Sequence, residues 1–264
     1  MRYRTLGRTG IKVSSYCLGA MMFGAVGSPD HNDSIRIIHK ALDAGINFVD
    51  TADAYSRGES EEIVGKALEG RRDNVVLATK AHLPMGDDPN QQGNSRRWLV
   101  RALEDSLRRL QTDHIDLFQI HRPAPGTDVE ETLSALTDLV RAGKIRTFGS
   151  SAFSASDIVE AQWTAERRSL QRFRTEQPSY SILNRNIEGE VLPVCRRYGM
   201  GTLVWSPLGG LAGAGITLTD EVLDQIDAIV PPGTDIGTLN MAYSPAAIEQ
   251  TALRRRLLDE RSAA

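Results

Sequence analysis

Two hydrophobic periods alternate along the chain. Short apolar runs rich in β-branched residues, each bounded by Gly, Pro or polar residues, read as strands: "SSYCLGA", "INFVDTA", "VVLATK", "IDLFQIH", "IRTFGSS", "RTEQPSY" and "GTLVWSP". Between them apolar residues recur every three or four positions in "NDSIRIIHKALDAG", "ESEEIVGKALEG", "SRRWLVRALEDSLRRLQ", "DVEETLSALTDLVRAG", "SASDIVEAQWTAER" and "EGEVLPVCRRYG", which is the spacing of amphipathic helices. Several of these start on Asp or Ser, which cap helix N-termini, and four of the six run out at a Gly. Repeated strand-then-helix units predict parallel strands with right-handed crossovers. This many in series predict a TIM-type (β/α)8 barrel before an open doubly wound sheet. No linker or low-complexity tract interrupts the series, so residues 1–264 read as one barrel domain.

Composition narrows the class. With 41% hydrophobic and 25% charged residues the chain can bury a full core. The net charge of -3 arises from 34 acidic and 31 basic residues well mixed along the sequence, so no basic face stands out and nucleic acid is not an expected partner. Cys17 and Cys195 offer neither a disulfide framework nor metal-ligand spacing, which fits a reducing cytoplasm and no metal site. The N-terminal "MRYRTLGRTGIKVS" has no apolar signal core, and no later stretch has the length of a membrane span.

The chemistry sits where strands end. In a barrel of parallel strands the reaction site lies at their carboxyl ends. There the second run closes on Asp50 with Tyr55 just beyond, the third on Lys80 and the fourth on His121. Each has a bland reading. Asp50 could cap a turn, Tyr55 could lie on a loop, Lys80 could extend to solvent, and His121 could satisfy a backbone carbonyl. Their recurrence at equivalent points of three successive strands favours one shared mouth. Asp53 reads as a turn residue.

The segments "NFVDTADAYSRGESEEIVGKAL", "ATK", "QIHRP", "FGSSAFSA", "EQPSYSILNR" and "LVWSPLGG" together resemble the aldo-keto reductase family of NAD(P)H-dependent oxidoreductases, from the first residues to about Gly210. The resemblance implies that Asp50, Tyr55, Lys80 and His121 form a catalytic tetrad that reduces a small carbonyl compound, with Tyr55 as proton donor. It implies nicotinamide contacts from Ser151, Gln177 and Trp205, and further cofactor contacts from Ser206, Leu208 and Gly210. NADP(H) is the family's usual cofactor, with NAD(H) left open. The family usually has Asn after the serine, where this chain has Ala152. Two other readings keep the fold: a redox-independent dehydratase, epimerase or isomerase, and a non-catalytic binding subunit similar to the reductase-like subunits of ion channels.

Beyond "WSPLGG" no eighth strand and no adenosine-binding segment like the family's is recognisable. Instead "LAGAGITLTDEVLDQIDAIVPPGTDI" passes into a helical pattern stopped by "PP". The barrel is therefore expected to be incomplete near its C-terminus. "GITLT" is a candidate replacement strand, and a homo-oligomer is a candidate cover for the exposed flank. Weak cofactor binding is the corresponding expectation.

Overall fold

The computed structural model describes residues 1–205 and 219–235. All seven expected runs contain strands, and an N-terminal hairpin precedes them. The hairpin pairs β1 (Tyr3–Thr5) with β2 (Lys12–Ser14) antiparallel. Then β3 (Leu18–Gly19), β4 (Phe48–Asp50), β5 (Val76–Ala81), β6 (Ile115–Ile120), β7 (Ile145–Ser151), β8 (Thr175–Gln177) and β9 (Gly201–Thr202) form one parallel sheet in chain order. The helices α1 (His31–Asp43), α2 (Glu59–Ala67), α3 (Arg96–Leu110), α4 (Val129–Arg141), α5 (Ala155–Arg167) and α6 (Val191–Tyr198) fall between successive strands, and α7 (Asp220–Ile229) follows. Among the described residues β3 and β9 are the two ends of the sheet, which makes this an incomplete (β/α)8 barrel as expected.

The helices begin where capping chemistry allows. Ser95 accepts from the Trp98 amide (3.3 Å) at the start of α3, and Asp128 accepts from the Glu130 amide (2.8 Å) at the start of α4. Ser154 and Asp157 form a reciprocal capping box at α5. Such a cap contributes typically about 1 kcal/mol.

Strand alternation sorts two cores. Val49, Leu77, Phe118 and Phe148 point outward and pack with Ile63, Leu99, Leu103, Leu136 and Ile158 from the helices. Phe48, Ala78 and Leu117 point inward and meet Leu6 and Val13 of the hairpin. Each fully buried side chain of this size contributes roughly 1.5–3 kcal/mol.

The hairpin is also bonded to segments at two separate places in the sheet. Asn47, just before β4, receives the Ser14 amide on Oδ1 (2.7 Å) and donates to Lys12 O (3.0 Å). At the far end of the sheet the Arg8 amide donates to Gly199 O (3.1 Å), just before β9. One hairpin thus touches the segments leading into β4 and β9 and forms the floor. Gly7 makes this contact possible: its φ is +55°, and a Cβ there would lie 2.6 Å from Gly201 N. In the sequence this segment shows basic residues and no apolar signal core, but no strand pattern. Residues 215–218 of "GITLT" and the C-terminal "ALRRRLLDERSAA" lie outside the described residues.

Candidate active site

Inward-pointing positions at the carboxyl ends of β4, β5 and β6 bring Asp50, Lys80 and His121 together, and Tyr55 joins them from the turn after β4. Lys80 Nζ donates to Asp50 Oδ2 (2.6 Å), to Thr51 O (2.8 Å) and to Tyr55 Oη (3.2 Å). Its side chain has no exposed surface. Burial alone would drive Lys80 toward the neutral amine, but the charge and hydrogen bond of Asp50, together with Tyr55, more than offset it, so its basicity is raised. The Tyr55 and His121 rings meet edge to face, 5.8 Å between centroids.

His121 is held neutral. Burial, then the positive charge of Lys80, followed by Arg122 and His82, puts its pKa well below the ordinary imidazole value. Its Nδ1 is buried without a hydrogen-bond partner. A neutral ring protonated on Nε2 leaves only a lone pair on that buried atom.

The turn that presents Tyr55 is strained and pinned. Ser56 and Arg57 both adopt left-handed angles (φ 48° and 54°), uncommon for residues with a Cβ. Ser56 Oγ donates to Phe23 O (3.2 Å), and Glu59 accepts both the Ala25 amide (2.7 Å) and a bond from His31 Nε2 (2.8 Å). These contacts fasten the turn to the loop between β3 and α1.

One residue of the site, Gln119, was not singled out from the sequence, and another, Asp53, was read there only as a turn residue. Gln119, fully buried, donates through Nε2 to Asp50 Oδ1 (3.0 Å) and so holds the carboxylate from its other side. It lies two residues before His121 on one strand, and that period of two was the available signal. Asp53 does lie in a turn, but its carboxyl is fully buried and has no hydrogen-bond partner. Burial first, and then the nearby Glu61, push its pKa well above the carboxylate range. Glu61 itself accepts from Thr79 Oγ1 (2.5 Å) and Arg109 Nε (2.7 Å).

Along the rim, Ser151 is buried and donates to Gln177 O (2.9 Å), while no partner for the Gln177 side chain is seen among the described residues. Trp205 bridges to Ser179, and its indole Nε1 is buried without a partner, as is Ser179 Oγ. The Ala152 backbone is left-handed (φ 57°). These unsatisfied donors and the free amide suit a flat ring bearing a carboxamide, which is the ring end of a nicotinamide. Ser206, Leu208 and Gly210 lie outside the described residues.

The aldo/keto reductase family model matches residues 16–229, most of the chain. The chain belongs to the aldo/keto reductase family. Its relatives in that family include the uncharacterized oxidoreductase YrpG of Bacillus subtilis (strain 168), 46% identical over 226 residues, which covers 81% of this chain and 68% of the relative. The aldo-keto reductase YhdN of the same organism is 41% identical over 212 residues, covering 79% of this chain and 62% of the relative. A probable voltage-gated potassium channel subunit beta of Oryza sativa subsp. japonica is 35% identical over 265 residues, covering 90% of this chain and 80% of the relative. Among the described residues no helix is long and apolar enough to cross a membrane.

Proposed function

We propose that this chain reduces the carbonyl of a small aldehyde or ketone to an alcohol, using a nicotinamide cofactor, NADP(H) by family habit or else NAD(H). The observation that carries the proposal is the buried Lys80 ammonium, bonded at once to Asp50 and to the Tyr55 hydroxyl. Bound against Ser151, Gln177 and Trp205, the reduced cofactor would supply a hydride to the carbonyl carbon.

The chain's own residues deal with the charge that then develops on oxygen. Tyr55 gives its phenolic proton to that oxygen as general acid. A phenol of ordinary pKa near 10 is a poor acid at neutral pH, and each unit of reduction is worth about 1.4 kcal/mol. The Lys80 ammonium, 3.2 Å from the phenol oxygen, stabilises the phenolate left behind. Asp50 keeps Lys80 charged, and Gln119 keeps Asp50 in place. Neutral His121 donates through Nε2 to the same carbonyl oxygen and orients it.

A second reading has one specific support: a relative matched over 90% of this chain carries the name of a channel β subunit. In that reading the tetrad binds cofactor without serving turnover. One experiment separates the two. Purified protein is mixed with NADPH, then with NADH, across a panel of aldehydes and ketones, while cofactor absorbance and fluorescence are followed. Carbonyl-dependent oxidation supports the reductase. Fluorescence quenching with no oxidation across the panel would sink it in favour of a binding subunit.

A further inference from the structure

The basic residues, well mixed in sequence, are not well mixed on the surface. On the floor of the barrel, opposite the mouth that holds Tyr55, Arg8, Arg146, Arg172 and Arg174 line one cleft of about 190 Å³. They come from three different places: the turn between β1 and β2, the start of β7, and the segment leading into β8.

Arg8 and Arg174 are fixed through their backbones. The Arg8 amide is bonded to Gly199 O (3.1 Å), the Arg174 amide to Phe148 O (2.9 Å), and Arg174 O accepts from the Gly201 amide (2.9 Å). Arg8 lies directly over Gly199, where a Cβ would fall 2.4 Å from its Nε. Arg146 Nη1 donates to Gly143 O (3.2 Å).

None of the four has a carboxylate partner among the described residues. Asp113, the acid that feels Arg146, is itself hydrogen-bonded to His114 Nδ1 (2.6 Å). Burial, followed by the like charge of Arg172, lowers the pKa of Arg174, as an uncompensated cluster requires. Four arginines lining one polar cleft, on a chain whose net charge is -3, repel one another until an anion enters. Planar guanidinium forks match phosphoryl oxygens two at a time. Size limits the ligand further. Pockets for drug-sized molecules run about 300–1,000 Å³, so this cleft suits a phosphate or diphosphate group more than a whole nucleotide.

We propose that this floor cleft binds the phosphoryl group of a small phosphate-bearing molecule, independently of the site at the mouth. The probe is inorganic pyrophosphate, titrated calorimetrically into the full chain at low salt. Inorganic phosphate and glycerol phosphate serve as parallel arms to separate a free phosphate from a phosphate ester. Saturable pyrophosphate binding is expected with a dissociation constant below about 1 mM. It should weaken as salt rises. Arg172→Gln with Arg174→Gln should weaken it at least about tenfold, since two charge-assisted pairs are lost. NADPH fluorescence quenching should be unchanged in that variant, which separates the floor from the mouth. If circular dichroism shows the double variant misfolded, Arg8→Gln on the exposed turn decides by the same criterion. Absence of binding up to about 1 mM, or undiminished binding in a folded variant, overturns the proposal. So does binding of a short oligonucleotide or an acidic peptide in place of all three small anions.

Discussion

At Tyr55 the step from phenol to phenyl removes one hydroxyl, and Lys80 keeps its bonds to Asp50 and Thr51. Tyr55→Phe should therefore fold normally and lose about 10²- to 10⁴-fold in turnover, the usual contribution of a general acid. Steady-state kinetics on a folded sample check it, and turnover within a few fold of wild type would remove Tyr55 from the mechanism. Lys80→Met differs in kind, because it leaves Asp50 nearly buried without its cation. Breaking such a pair costs about 3–5 kcal/mol, so lost activity should come with a lower denaturant midpoint. Asp53→Asn goes the other way. Burial, followed by the nearby Glu61, opposes the charge of this carboxyl, which has no hydrogen-bond partner among the described residues, so the isosteric amide should change stability by less than about 1 kcal/mol. A loss of several kcal/mol in urea unfolding would mean that Asp53 is ionised and paired. The meeting of Asp50, Tyr55, Lys80 and His121 was legible because strand ends in a barrel must face one mouth. The burial of Asp53 was not, since the carboxyl is enclosed by Glu61 and Arg109, brought from elsewhere in the chain.

The turn after β7 joins the rim at Ser151 to the core behind it. Ala152 sits there in a left-handed conformation that Asn tolerates better than Ala. Ala152→Asn should add on the order of 0.5–1 kcal/mol, raising the melting temperature by roughly 2 °C. An unchanged or lower melting temperature in differential scanning calorimetry would count against the strain. The same turn is braced from below by Glu176 of β8, which accepts from Ser150 Oγ (2.5 Å) and the Phe153 amide (3.1 Å). Burial pushes the Glu176 carboxyl from its ordinary 4.5 up to about 7. The folded state therefore holds this proton longer than the unfolded state does, and stability falls as pH rises from about 4.5 to about 7. His121, with a depressed pKa, works in the opposite sense below neutrality, so the comparison must be between proteins. The stability of Glu176→Gln relative to wild type should increase across that window by up to about 3 kcal/mol, and a pH-independent difference in urea midpoints would refute the shift. Elements with a strong period, such as α3 and β6, were readable from pattern alone. The hairpin was not: its strands are three residues each, and their partners Asn47 and Gly199 are remote in sequence.

Across the whole molecule, pairing is uneven. β6 and β7 pair from Ile115 and Ile145 through to Ile120 and Ser150, whereas β3 meets β4 at Leu18 and Gly19, and β9 meets β8 at Gly201 and Thr202 with the isolated Trp205–Ser179 bridge just beyond. The exposed apolar side chains Met21, Met22 and Val204 lie just beyond those two ends. Short terminal strands limit the exposed hydrogen-bonding edge, but they also surrender the cooperative protection of the sheet centre. Hydrogen exchange should thus be slowest at Phe118 and Phe148 and much faster at Leu18, Gly19 and Thr202, in a dilute sample read by mass spectrometry. The concentration dependence separates an open flank from a covered one. Protection at β3 and β9 that rises with protein concentration, together with a growing mass in light scattering, would identify a second copy as the cover, the homo-oligomer expected from an incomplete barrel. Protection equal to that of β6 at every concentration would mean that both ends are already paired within one chain, and the open-edge account would fail.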